Sequence, residues 1–277
     1  MAGGKNGTAG GAWKRGSFTA VCAAVLSLAA LTACSVPGQR VKEPVSGSGV
    51  SDSYALLGGT SLEMEVKVLR GKKDGPSIYL VAGVHGDETA GCAAAAELAG
   101  DRLLAGSLYI LSPANVYGAK HGQRKTEEER DLNRNFPGDP EGCDAEQIAA
   151  AVFGDIEEKK PELVLDLHEA AETEGDRDFL GNSLICQSLD GVGDLILSLL
   201  SESERTDFTS APFTLYGSPP AGSLNRAVTE GLKIPVITVE TFRGEPQETR
   251  VKNHLSVVRY ILKAFEMEYV NNEEDKT

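Results

Sequence analysis

Histidine is scarce, with only four among 277 residues, so a site built on imidazoles has few candidate ligands. Cysteine is nearly as sparse at five. Cys22 and Cys34 fall near the N-terminus. The remaining Cys92, Cys143 and Cys186 are odd in number, which excludes a disulfide framework and leaves one bridge or three small buried hydrophobes. Basic residues are in deficit, 27 Lys and Arg against 41 Asp and Glu. Lys5, Lys14 and Arg15 are the only charged residues among the first 34, so the rest of the chain carries −17 against −14 for the whole. That balance argues against nucleic acid and against a basic patch on an anionic membrane. The rest of the composition, 41% hydrophobic and 25% charged, is sufficient for a sizeable core.

The acid-free N-terminus runs from basic residues into an Ala-rich apolar stretch, Phe18 to Ala33. It is too short and too weakly flanked for a membrane span. It stops at Leu31-Thr32-Ala33-Cys34, which resembles the bacterial lipobox, whose cysteine is diacylated and becomes the first mature residue. Residues 1–34 are expected to be a lipoprotein signal peptide, with an ordinary secretory signal or an incidental cysteine as alternatives. Residues 35–59, rich in Gly, Ser, Pro and Val, read as a flexible tether, and 60–277 as one catalytic domain. The protein would then be extracytoplasmic, held on the bacterial membrane through the lipid alone.

From Gly59 onward short apolar runs alternate with amphipathic stretches, which predicts an α/β domain: a mostly parallel or mixed central sheet flanked by helices. Strands are expected at Leu62–Leu69, Ser77–Val84, Leu108–Leu111, Leu163–Leu167, Leu184–Cys186, Phe213–Tyr216 and Ile234–Val239. Helices are expected at Glu88–Leu104, Asp144–Lys160, Leu189–Ser203 and Val251–Tyr269. A polar loop of about thirty residues, Pro113 to Cys143, is long for a compact domain and more often functional than idle.

The chemistry gathers where strands run out. In His85-Gly86-Asp87-Glu88 a histidine at a strand end and a glutamate opening the next helix can meet at one point, and both are good zinc ligands. Alone this would also fit a capped helix start. His168, after Glu162-Leu163-Val164-Leu165-Asp166-Leu167, supplies a third ligand, and two His with one Glu leave a position open for catalysis. Glu240 follows another apolar strand and suits a general base. In open α/β sheets such groups collect beyond the carboxyl ends of the strands. The long loop holds Arg124-Lys125-Thr126 and Arg130 to Gly138, and arginine suits a substrate carboxylate.

His85-Gly86-Asp87-Glu88, Asp131-Leu132-Asn133-Arg134-Asn135-Phe136, Asp166-Leu167-His168 and Thr238-Val239-Glu240 occur in the order seen in zinc carboxypeptidases. The His-Gly-Asp-Glu form resembles the succinylglutamate desuccinylase/aspartoacylase branch, over about residues 60 to 265. The resemblance implies a zinc carboxypeptidase-like fold and one zinc ion per chain on His85, Glu88 and His168, with Glu240 as base. It further implies that Asn133 and Arg134 hold the substrate carboxylate, that Asp131 orients a ligand histidine, and that Arg124, or else Arg130, faces the oxyanion. Tyr216 falls where a substrate-contacting tyrosine would lie. Leu224, after Ser223, is expected to line the pocket and favour an apolar side chain. The short interval from Glu88 to His168 trims the specificity loops. The 37 residues after Glu240 read as one helix, where this branch generally carries a further β domain.

The expected function is zinc-dependent hydrolysis of an amide next to a free carboxylate, on extracellular or cell-wall-derived peptides. A deacylase of N-acyl amino acids is the alternative, and a non-catalytic surface-binding lipoprotein a lesser one. No nucleic-acid partner is expected.

Overall fold

A computed structural model describes residues 50–170, 180–267 and 269–270. The expected signal peptide, Cys34 and most of the tether lie outside the described residues. In chain order the elements are β1 (Asp52–Leu56), β2 (Met64–Arg70), β3 (Lys73–Ala82), α1 (Thr89–Leu98), β4 (Arg102–Leu103) and β5 (Ala105–Leu111). They continue with α2 (Val116–His121), a 3-10 turn (Leu132–Arg134), α3 (Asp144–Lys159), β6 (Leu163–Ala170), β7 (Ser183–Ile185) and α4 (Gly193–Ser203). The last are β8 (Thr214–Tyr216), α5 (Leu224–Leu232), β9 (Val236–Phe242), α6 (Gln247–Ala264) and β10 (Tyr269–Val270).

Eight strands form one mixed sheet in the order β1-β2-β5-β3-β6-β9-β7-β8. The centre, β5-β3-β6-β9, is parallel, while β2 and β7 join its two sides antiparallel. Parallel strands are covered on both faces and so read as unbroken apolar runs. In β6 every residue from Leu163 to Ala170 is buried. Alternation along the strands divides the core in two. Leu163, Leu165, Leu167, Ile237 and Val239 pack with α1, α4 and α6, while Tyr79, Val81, Val164 and Val236 pack with α3 and α5. The expected α/β sandwich is therefore present. No helix among the described residues is long and apolar enough to cross a membrane.

Several boundaries differ from expectation. The domain begins before residue 60, because Asp52–Leu56, placed in the tether, pair with Met64–Val68. The Tyr54 hydroxyl donates to Asp155 Oδ2 at 2.7 Å, and the buried Tyr79 hydroxyl donates to the same oxygen at 2.7 Å, which pins this edge to α3. The helix expected to run to Leu104 stops at Leu98, and the closing helix stops at Ala264 rather than Tyr269. Both tails are used for strand pairing instead, Leu103 opposite Tyr269 and Arg102 opposite Val270. Tertiary pairing there overrides local helix preference. The polar loop is not structureless, since it contains α2 and the 3-10 turn. Cys92, Cys143 and Cys186 are all free.

Candidate active site

Two parallel strands aim the site. Across β6 and β9, Val164 pairs with Val236, Asp166 with Thr238, and His168 with Glu240. Successive residues on one face are two apart, so a row that starts in the α3–α5 core leads to His168 and Glu240. Neither ends its strand, as the sequence suggested. Each strand continues two residues further, Glu169 opposite Thr241 and Ala170 opposite Phe242.

His85 and Glu88 arrive from the turn between β3 and α1. Gly83 adopts φ +71°, open to glycine with little strain, and reverses the chain. Gly86 is required by closeness: a Cβ there would lie 2.0 Å from the carbonyl carbon of Gly118 in α2. Glu88 stands at the N-cap of α1 yet makes no capping bond. Its carboxylate turns inward, with Oε1 2.6 Å from His85 Nδ1 and Oε2 2.8 Å from His168 Nδ1. The cap is supplied by Glu169, whose Oε1 accepts from the Ala90 N–H at 2.5 Å, where the helix dipole favours a carboxylate. Glu169 Oε2 is held in turn by Arg250, and the Glu169 N–H donates to Glu88 Oε2 at 3.1 Å.

Each imidazole has a second carboxylate behind it. Asp131 Oδ1 lies 3.2 Å from His85 Nε2. Asp166 Oδ1 lies 3.0 Å from His168 Nε2, although the two are not aligned for a hydrogen bond. Burial opposes charge on both rings, but Glu88 and Asp131 outweigh it at His85, and Asp166 and Glu88 at His168, so both pKa values lie above the usual one. Burial would raise Glu88, yet the two histidines hold it well below the carboxylate range. Glu240 is different: burial lifts its pKa to about 7, with His168 opposing and Glu88 and Asp166 adding to the rise. A buried centre ringed by Glu88, Asp131, Asp166 and Glu240 calls for a cation.

The ligand atoms of His85, Glu88 and His168 lie within 4.8 Å of one another. Both Nδ1 atoms face the common point and both Nε2 atoms face a carboxylate, the arrangement that fixes ring orientation and raises ligand basicity in metal sites. The donor set of two imidazoles and one carboxylate fits zinc.

These groups open into a cavity of 530 Å³ that also contains Arg124, Asn133, Arg134, Tyr216 and Glu240. Arg124 reaches Glu88 Oε1 at 3.4 Å and Asp131 Oδ2 at 3.2 Å, whereas Arg130 is not among the lining residues. Leu224 is corrected by one position. It is fully buried in the core with Phe136 and Ala145, and the cavity residue is Asn225. Consecutive helical residues diverge by about 100°, so a leucine directed at the core turns its neighbour elsewhere. Sequence reasoning also missed Asp166, Glu169 and Thr238. Asp166 and Thr238 were discoverable, because each stands two residues before a site residue on the same strand face.

Residues 74–180 match the family model for the succinylglutamate desuccinylase/aspartoacylase catalytic domain. That segment is less than half of the chain. The matched span holds the three metal-ligand candidates, Arg124, Asp131, Asn133 and Arg134, while Glu240, Tyr216 and Asn225 lie beyond it. A curated relative, N-alpha-acetyl-L-2,4-diaminobutyric acid deacetylase of Halomonas elongata, is 32% identical over 157 residues, covering 50% of this chain and 44% of the relative. Among solved structures, tripeptide-bound cell shape determinant Csd4 of Helicobacter pylori matches with a TM-score of 0.64 at 18% identity, over 76% of this chain and 57% of that one. An aspartoacylase family protein of Mesorhizobium loti matches at 0.61 and 22% identity, over 83% and 71%. These likenesses establish the zinc carboxypeptidase-like fold. The chain spans less than half the length of the curated relative.

Proposed function

We propose that the domain is a zinc-dependent amide hydrolase that cleaves next to a free carboxylate, acting carboxypeptidase-like on extracellular or cell-wall-derived peptides. The observation that carries this reading is the convergence of His85, Glu88 and His168 with a buried Glu240 and with Arg124 in one cavity. Zinc held by the three ligands would supply Lewis-acid polarisation of the scissile carbonyl and a lowered pKa for water. Glu240, whose pKa burial raises, takes the proton of the attacking water and returns it to the leaving amine. Arg124, held by Glu88 and Asp131 and open to the cavity, stabilises charge developing on the carbonyl oxygen. Arg134 and Asn133 hold the substrate carboxylate. The Leu224 N–H occupies Asn133 Oδ1 at 3.0 Å, which leaves Nδ2 to donate.

Removal of an acyl group from an N-acyl amino acid is the second reading, favoured by the Halomonas relative and by the matched family. The same machinery serves both. Incubating the zinc-loaded chain with C-terminal peptides, wall peptides and N-acyl amino acids separates them. Peptide cleavage supports the first reading, and turnover of N-acyl amino acids alone supports the second. A zinc-loaded chain that leaves all of them intact contradicts both and favours a binding role.

The proposal extends to location, with the domain tethered outside the cell by lipid on Cys34. The order of basic residues, apolar run and Cys34 supports it. Fatty-acid labelling that is lost in Cys34→Ala is the expected result, and equal labelling of the variant would contradict it.

A further inference from the structure

We infer that Ser183 is a positioning residue for Glu240, its hydroxyl donating to the carboxylate that takes the proton of water; this rests on the amide-hydrolase reading above. Strand β7 runs antiparallel beside β9, with Ile185 opposite Thr238, Leu184 opposite Val239 and Ser183 opposite Glu240. Directly opposed residues of an antiparallel pair turn their side chains to the same face. The neighbouring pairs show which face that is. Leu184 and Val239 pack in the core with α1, α4 and α6, whereas Ile185 and Thr238 both line the cavity. Alternation therefore puts Ser183, two residues before Ile185, on the cavity side with Glu240. The register is pinned at this end, because Asn182 Oδ1 accepts from the Phe242 N–H at 2.9 Å.

Ser183 is fully buried, and its Oγ has no partner. An unpaired buried hydroxyl is costly, and alanine would fill the same space without it, so packing does not explain the residue. Glu240 has the matching need. Its carboxylate accepts no hydrogen bond among the described residues, although a general base must be aimed at the water it deprotonates. Opposed Cβ atoms stand about 4.5–5.5 Å apart, a gap that a serine hydroxyl and a glutamate side chain close by rotation between staggered positions. The other donors near Glu240 are committed elsewhere. His168 faces Glu88 with Nδ1 and Asp166 with Nε2, and the Thr238 hydroxyl donates to Asp166 Oδ2 at 3.4 Å. A hydroxyl also suits both states of the base, since it donates to the carboxylate and, once turned, accepts from the carboxylic acid.

Two measurements on the zinc-loaded full chain test this. In a crystal structure, Ser183 Oγ should lie about 2.5–3.0 Å from a Glu240 carboxylate oxygen; an Oγ bonded to another group overturns the inference. Kinetics use an N-acetyl amino acid or a short peptide, whichever is turned over. Ser183→Ala should keep its zinc and its melting temperature and lose at least about tenfold in kcat, as a hydrogen bond to a charged group is worth. Its kcat/KM should fall by the same factor with KM within about twofold, the pattern of an interaction made in the transition state. Ser183→Thr, which keeps the hydroxyl, should retain most of the rate. Added to Glu240→Gln, Ser183→Ala should cost less than about twofold more, because the two act as one unit. An unchanged kcat in Ser183→Ala, a loss confined to KM, or a full further loss on top of Glu240→Gln overturns the inference even though amides are hydrolysed. The Ser183–Glu240 bond in the crystal with no hydrolysis of any amide would instead contradict the hydrolase reading and leave the pairing standing.

Discussion

Replacing Asp166 by Asn probes how the second carboxylate holds a metal ligand. Asp166 is 1% exposed and lies 3.0 Å from His168 Nε2, while Glu88 occupies the other side of the ring. With a metal on Nδ1, the Nε2–H must point at an acceptor, and Asp166 is the one in place. Asparagine keeps the shape but loses the charge that makes the ring a stronger donor, and it sets an amide N–H against either the imidazole or Thr238. Loss of such a partner costs about 10–100-fold in metal affinity, or about 1.4–2.7 kcal/mol. Competition against a zinc chelator at fixed pH measures it. Asp131→Asn should cost less, because Asp131 is 24% exposed on its side chain and is also occupied by Arg124 and the Asn133 N–H. Wild-type zinc affinity in Asp166→Asn would refute the argument that Asp166 orients His168.

Three further outcomes are expected. Glu240→Gln should keep its zinc and lose about 10²–10⁴ in kcat, the usual worth of a positioned base, and an unchanged rate would remove Glu240 from the mechanism. Because Glu240 must be ionised to accept a proton and burial lifts its pKa to about 7, kcat/KM should rise with pH from the acid side. A bound cation shifts that limb to lower pH, and the limb should vanish in the Gln variant. Asp155→Ala leaves the hydroxyls of Tyr54 and the fully buried Tyr79 without their acceptor. At about 1–3 kcal/mol for a buried orphan, near the lower end for the half-buried Tyr54, a loss of about 2–4 kcal/mol is expected on thermal melting, with Asp155→Asn milder. Equal melts for Asp155→Ala and wild type would contradict this.

The convergence of His85, Glu88 and His168 was legible because its signals are local. His85 and Glu88 are three residues apart across one turn, and His168 and Glu240 sit on apolar runs that could only be central strands. What failed was whatever depends on a distant partner. Strand β1 looks like more tether until Tyr54 meets Asp155, a hundred residues away. Arg102–Leu103 looks like helix until it pairs with Tyr269–Val270. Helix α5 sets Leu224, Ala227, Val228 and Leu232 against one core at helical spacing, a short period that the sequence reading passed over. The error at Leu224 follows from that omission, since without the helix there was no reason to separate its facing from that of Asn225. Glu169 was hidden for a related reason. Its role as the cap of α1 follows only once Glu88, the residue at the N-cap, is seen to face the histidines instead.

The most direct test is the zinc content of the purified full chain, wild type against His168→Ala, with His121→Ala as a control on an exposed histidine. The expected result is close to one zinc per wild-type and His121→Ala chain and little in His168→Ala. A wild-type chain that takes up no zinc after reconstitution, or a His168→Ala chain that binds it as well, would contradict the assignment of the site.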